Sequence, residues 1–118
     1  MRPPMTDVAP FAWEITADGA LRGPAAKLVI QCALSRICGV CRESLGRPIA
    51  FVGTTAEVGR NAFHAPPMHV GCAEQLLRLP GADPTWQVVT TSGFEFVRAN
   101  REDVDRRPTF QPNSIIGG

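Results

Sequence analysis

The stretch RICGVCRESLG, residues 36–46, places two cysteines three positions apart in a turn that contains a glycine. Such a pair can hold a metal ion, serve as a redox-active dithiol or do neither. A second pair with the same spacing occurs in HVGC, residues 69–72. Structural zinc takes four tetrahedral ligands, commonly thiolate and imidazole, and two close pairs from separate elements supply them. We therefore predict a zinc site with three cysteines and one histidine: Cys38, Cys41, His69 and Cys72.

The spacing of three suits each pair for a different reason. A tight turn directs the sulfurs of Cys38 and Cys41 into one space, and backbone N–H groups around Gly39 stabilise them as thiolates. His69 and Cys72 face the same side if they lie on the first turn of a helix. Four protein ligands leave no open coordination position for water, so we predict a structural zinc site and no catalysis.

The order of parts resembles the treble-clef zinc fingers over residues 36–80. A cysteine turn is followed by a short hairpin and then by a helix whose first turn carries the second pair. The motifs that carry the resemblance are CGVC and HVGC, and it implies the ligand role for the four residues above. The neighbouring pattern is also similar to that of small uncharacterised actinobacterial and phage-type proteins, which implies no activity.

Two further residues bear on the ligand set. His64 lies five positions before His69 and is an alternative ligand, but Pro66 and Pro67 keep it on the hairpin side. We expect His64 to be a surface histidine or to support the site from outside. Cys32 lies on the apolar stripe of a predicted helix, where a free cysteine packs as a small hydrophobic residue.

The periodicity around the site predicts an α+β fold, a small single domain with short β-hairpins and two helices. Residues 11–23 alternate large and polar side chains about Asp18-Gly19, which predicts a hairpin. Pro24 suits the first position of a helix that continues to Ile37, although residues 27–34 also fit a strand. Residues 69–79 form the clearest helix, which ends before Pro80-Gly81.

Two other stretches alternate like strands. Residues 47–64 hold two short apolar runs, which predict a hairpin or two short strands. Residues 85–99 resemble a closing hairpin with its turn at Ser92-Gly93. At 118 residues the chain fits one domain, and we expect a flexible leader over 1–10, a zinc-stapled domain over 11–100 and a loop or flexible tail over 101–118. Met1 and Met5 are both candidate starts.

Charge and hydropathy argue against several function classes. Twelve Lys and Arg against eleven Asp and Glu give a formal net charge of +1, too little for strong nonspecific nucleic-acid binding. The chain has no run of about 18 apolar residues, and its N-terminus has no signal-peptide pattern. We therefore predict a cytoplasmic protein, in which cysteines stay reduced or bind metal.

Three alternative functions remain open, two at the cysteine motifs and one at the C-terminal Gly-Gly. CGVC also fits a thioredoxin-like dithiol of Cys38 and Cys41, but Gly46 to Pro48 would end the long helix that such proteins need. A catalytic zinc with His64 or Glu74 as acid or base would lack the His-x-Glu of deaminases. A flexible Gly117-Gly118 terminus would suit a carrier protein.

The favoured interpretation is a zinc-binding interaction module that is not an enzyme. Residues 22–60 carry six basic residues and two acidic ones, an excess of four near the cysteine pair. The candidate contact residues are Arg42, Arg47 and Arg60, since arginine binds carboxylate and phosphate in bidentate fashion. Few aromatic residues remain for stacking on bases, so we expect a protein partner more than a nucleic acid.

Overall fold

Seven short strands and three helices form the part of the chain that the structure, a computed structural model, describes: residues 9–105 and 107–114. In chain order they are β1 (Trp13–Ile15), β2 (Leu21–Pro24), α1 (Ala26–Ser35), β3 (Ile49–Gly53), α2 (Thr55–Arg60), β4 (Met68–His69), α3 (Val70–Leu77), β5 (Gln87–Thr91), β6 (Phe94–Val97) and β7 (Thr109–Pro112). The predicted α+β class is confirmed. In these residues no helix is long and apolar enough to cross a membrane.

The strands form three small antiparallel sheets. β1 pairs with β2, β6 pairs with β7, and β3 lies between β4 and β5. All five residues of β3 are buried, as expected for a short, continuously apolar run. The register places Ile49 opposite His69, so the first residue of β3 lies beside one of the predicted zinc ligands.

The predicted hairpin and helix before the cysteine turn are both confirmed. β1 and β2 flank the turn at Gly19, whose φ of 90° favours glycine. α1 begins two residues later than expected, at Ala26, because Pro24 is the last residue of β2 and Ala25 is the N-cap. At the C-cap Arg36 is left-handed, with a φ of 52°, and it turns the chain into the cysteine pair.

The described residues form three helices, where two were predicted. The additional helix is α2, which forms from the second apolar run of residues 47–64, so the prediction of a hairpin or two short strands there is wrong. Thr54 accepts a hydrogen bond from the Glu57 N–H at 3.1 Å, and the Glu57 carboxylate accepts one from the Thr54 N–H at 2.9 Å. This reciprocal pair is a capping box, which starts a helix by satisfying two backbone donors. The signal was present in the sequence as TTAE, residues 54–57.

The predicted closing hairpin is also wrong. β5 and β6 are strands, but β5 pairs with β3 along all five residues and β6 pairs with β7. β7 lies in the stretch that was predicted as loop or tail, so that prediction is wrong for Thr109–Pro112. Alternation identified the two strands correctly but carries no information about their partners. Residues 1–8 of the leader predicted over 1–10, and Gly117-Gly118, lie outside the described residues.

Phenylalanine rings join the β6–β7 ribbon to the central sheet. The Phe51 ring lies 5.5 to 5.6 Å, between centroids, from the rings of Phe63, Phe94 and Phe110. Phe63 and Phe110 also exchange backbone hydrogen bonds of 2.9 and 2.7 Å. Phe110 is fully buried, so β7 is part of the core.

We expect Phe110→Ala to lower the free energy of unfolding by about 3–5 kcal/mol, because it removes a fully buried ring and leaves a cavity. Val104→Ala is the matched control: Val104 lies in the same predicted tail but is 101% exposed, so its change should stay within about 0.5 kcal/mol. Urea denaturation measures both. Equal, small effects would mean that β7 does not pack on the core.

Candidate metal centre

Backbone hydrogen bonds close the cysteine turn into a compact loop. The Cys38 N–H donates to the Glu43 carbonyl at 2.8 Å, and the Arg42 N–H donates to the Cys38 carbonyl at 2.9 Å. Ile37 and Ser44 form an isolated antiparallel bridge at the base of the loop. The loop therefore holds its shape through its own backbone hydrogen bonds. These bonds help to position the sulfurs of Cys38 and Cys41.

The sulfur of Cys38 lies at the centre of the site. It accepts hydrogen bonds from the backbone N–H groups of Val40 at 3.3 Å, Cys41 at 3.5 Å and His69 at 3.4 Å. The Cys38 residue is fully buried. Two of the donors belong to the turn, as predicted, while the third comes from the second pair and joins the two halves of the site.

His69 is held so that one ring nitrogen faces the sulfurs. Its Nε2 lies 3.0 Å from the Ser44 carbonyl oxygen, which can only accept, so Nε2 carries the hydrogen. The lone pair on Nδ1 then points to the cysteines. His69 is the last residue of β4 and the N-cap of α3, and Cys72 follows on the first helical turn, as predicted.

The structure brings together the four residues that the sequence singled out. Their ligand atoms all lie within 4.8 Å of one another. His69 Nδ1 lies 3.3 Å from Cys41 Sγ and 3.8 Å from Cys72 Sγ. Tetrahedral bonds of typical zinc–ligand length separate nitrogen and sulfur by about 3.6 Å, which lies between these two values. The cluster can hold one metal ion with little movement.

Burial favours the protonated form of the Cys41 and Cys72 thiols when no cation is bound. It raises the pKa of Cys72 to about 12, with the nearby Cys38 sulfur adding to the effect, and burial also raises the pKa of Cys41. Both are therefore neutral thiols at pH 7 unless a positive charge is present. A divalent cation reverses this preference, because a coordinated thiol loses its proton.

The two alternative ligands lie outside the cluster. The His64 ring bonds the Pro108 carbonyl through Nδ1 at 3.1 Å and lies 3.3 Å from Asp105 through Nε2, so both nitrogens face other groups. Cys32 is fully buried in the hydrophobic core. Burial raises its pKa to about 11, and its predicted role in packing is confirmed.

Two features of the site were not found from the sequence: the close approach of Gly39 to Pro66 and Pro67, and the role of the Ser44 carbonyl. A Cβ on Gly39 would overlap the Pro66 ring, and the Gly39 N–H donates to the Pro67 carbonyl at 2.8 Å. Glycine is therefore needed for close approach, and the spacing gave no sign of this. The Ser44 carbonyl acts through its backbone, and every residue carries that group, so sequence alone offers no signal for it.

The predicted contact residues lie in two different places. Arg42 and Arg47 are exposed in and just after the cysteine turn, and the Arg42 guanidinium lies 5.4 Å from the centroid of the Phe11 ring. Arg60 is in the last turn of α2 and lines a cleft that neither of the other two lines. We therefore treat the Arg42 and Arg47 pair separately from Arg60.

Comparison of the chain with protein-family models, with curated proteins and with solved structures finds no match. The treble-clef resemblance accordingly stays a prediction from the motifs. The geometry of the four side chains carries the functional proposal.

We expect Gly39→Ala to lower the free energy of unfolding of the metal-loaded protein by about 1–3 kcal/mol, because the new methyl group overlaps Pro66. Gly59→Ala is the matched control, since Gly59 lies in α2 with nothing within 4 Å of its Cβ position; helix propensity predicts a gain of up to about 1 kcal/mol. Thermal unfolding measures both. Equal effects would contradict the tight contact between the cysteine turn and Pro66.

Proposed function

We propose that the chain is a zinc-binding interaction module, in which a Cys3His zinc ion holds the scaffold and an exposed face binds another protein. The observation that carries the proposal is the convergence of Cys38, Cys41, His69 and Cys72 within 4.8 Å. Four protein ligands complete a tetrahedral shell, and a closed shell is the arrangement of structural zinc sites. Such an ion supports folding and performs no chemistry on a substrate.

The donor set favours zinc among common metals. Three thiolates and one imidazole are soft or borderline ligands, whereas magnesium and calcium prefer oxygen. The Ser44 carbonyl orients the His69 ring, which is the usual supporting arrangement around a zinc-bound histidine. The three N–H donors on Cys38 lower the cost of holding a thiolate in a buried place.

Zinc would join segments that are distant in sequence. One ligand pair follows α1 and precedes β3, while the other ends β4 and starts α3. Such a tie contributes folding free energy, because the ligands are not assembled in the unfolded chain. This is valuable in a chain of 118 residues, whose core is modest.

The geometry is unfavourable for the alternative functions. A thioredoxin-like dithiol lies at the N-terminus of a long helix, but Cys38 and Cys41 lie in a turn that leads to the strand β3. A catalytic zinc needs an open position and a nearby acid or base, and His64 is paired with Asp105 instead. The Gly117-Gly118 carrier hypothesis concerns residues outside the described part of the chain.

We expect the purified protein to contain about one zinc per chain by elemental analysis, and Cys72→Ala to weaken zinc binding by at least about 100-fold, because it removes a ligand. Cys32→Ala is the matched cysteine control; it removes a core thiol, so it should keep the metal and lose only about 1 kcal/mol of stability. Competition with a chromogenic chelator measures the affinities.

Two results would contradict the zinc site. One is a metal-free protein that folds to the same thermal midpoint with and without added zinc. The other is equal zinc affinity in Cys72→Ala and Cys32→Ala. Turnover of insulin disulfides by the native protein, lost in both Cys38→Ala and Cys41→Ala, would favour the redox function.

Exposure and charge favour a protein partner at the cysteine turn. Arg42 and Arg47 are both exposed, and neither has a carboxylate partner within the described residues. Phe11 beside Arg42 adds apolar area at the same place. Most other phenylalanines, which would be needed to stack on bases, are buried. The expected partner surface is therefore acidic with an apolar contact, and its complementary charge sets the orientation.

A photo-crosslinking residue at Gly46, next to Arg47, should capture one dominant protein in the native host, and the Arg42→Gln and Arg47→Gln double variant should lose it. A Cβ at Gly46 meets nothing within 4 Å, so the site accepts the label. Gly59, also open, is the control position on α2 and should give no such product.

Retention on a nucleic-acid column tests whether the second candidate partner, a nucleic acid, binds the cysteine turn. If the cysteine turn binds phosphates, retention will fall steeply with salt, and each lost arginine will lower the slope of log affinity against log salt by about one. Elution at low salt, unchanged in the double variant, is the outcome that the protein-partner proposal requires.

A further inference from the structure

A cleft of about 370 Å³ lies away from the metal centre and has no part in the proposal above. Its apolar wall is formed by Trp13 and Trp86, whose ring centroids lie 6.0 Å apart with the planes at 47°. Its polar wall comes from α2 and from the segment before β7. The volume lies in the range of small-molecule sites, and none of the four clustered metal-ligand candidates lines it.

The two carboxylates of the polar wall are already used by the fold. The Glu57 carboxylate accepts hydrogen bonds from the backbone N–H groups of Thr54 at 2.9 Å and His64 at 3.0 Å. The Asp105 carboxylate accepts two bonds from the Arg107 guanidinium, at 3.0 and 2.7 Å. It also lies 3.3 Å from His64 Nε2. Neither carboxylate needs a ligand to satisfy it.

One cation of the cleft is not used by the fold, and one residue of its aromatic wall has an unsatisfied indole N–H. The Arg60 guanidinium has no ion pair or hydrogen bond to any residue that the structure describes, although it lies on the wall with Glu57 and Arg107. The indole Nε1 of Trp13 is buried without a hydrogen-bond partner, in a residue that is 5% exposed. The cleft therefore combines an unpaired cation with an aromatic surface.

We propose that this cleft binds a small aromatic monocarboxylate, with the ring against Trp13 and Trp86 and the carboxylate on Arg60. Aromatic rings pack on one another in offset or tilted arrangements, which the open angle between the two indoles allows. Arginine binds a carboxylate through two parallel hydrogen bonds. A dianion fits less well, because its second charge would face Glu57 and Asp105, and no further unpaired cation lines the cleft among the described residues.

Intrinsic fluorescence tests the proposal directly, because Trp13 and Trp86 are the only two tryptophans of the chain. The zinc-loaded full chain is titrated with phenylacetate, with phenylacetamide as the uncharged probe of the same shape and with phenyl phosphate as the dianion. Phenylacetate should give a saturable change in emission. The amide should bind at least about 10-fold more weakly, since it lacks the charge-assisted bond, and phenyl phosphate should also bind more weakly.

Arg60→Gln should lower the affinity for phenylacetate about 10-fold and leave the affinity for phenylacetamide unchanged. Arg101→Gln is the matched control, since Arg101 is exposed and does not line the cleft; its affinity should equal that of the parent protein. Zinc content and thermal midpoint are measured for both variants, and both should match the parent.

Three outcomes would overturn the proposal. One is the absence of a saturable change with phenylacetate up to its solubility limit. Another is equal affinity for phenylacetate and phenylacetamide, or an undiminished affinity in Arg60→Gln. The third is tighter binding of phenyl phosphate than of phenylacetate, which would assign the cleft to phosphate esters.

Discussion

The contact between the cysteine turn and the start of α3 is the constraint on which the rest of the fold depends. The His69 N–H donates to Cys38 Sγ at 3.4 Å, and the Gly39 N–H donates to the Pro67 carbonyl at 2.8 Å. These bonds join two segments some thirty residues apart, and they orient both ligand pairs on one point. Without this contact, the half-buried and buried thiols of the three cysteines would not lie close enough to the His69 ring to share one ion.

The strand β3 transmits this constraint to the remainder of the core. Its first residue, Ile49, pairs with His69 beside the metal cluster, and its third residue, Phe51, lies at the centre of the aromatic cluster. The two stabilising centres are thus only two residues apart along one strand. If the cluster binds an ion, as proposed, its loss should therefore loosen the pairing of β3 with β4, and with it the packing of β5 on the other side of β3.

The sequence predicted the metal cluster better than it predicted strand pairing. Two pairs with a spacing of three have few chemical explanations, so Cys38 and Cys72 were found without the fold. Helix α2 was missed because the short apolar runs alone predicted strands, and the capping residues Thr54 and Glu57 did not enter that prediction. The pairing of β6 with β7 could not be found, since β7 follows a long connection and alternation along β6 does not name its partner.

Both proposals rest on arginines that form no ion pair in the described residues, in contrast to Arg107. Asp105 and Arg107 satisfy each other, and the pKa of Asp105 is held far below its usual range by the Arg107 hydrogen bonds. The two side chains of this pair are satisfied by each other and need no ligand. Arg42, Arg47 and Arg60 have no carboxylate partner in the described residues, so their charges are not used in an ion pair there. A single unpaired guanidinium beside an aromatic cleft suits a small anion, whereas two beside an exposed turn suit a larger acidic surface.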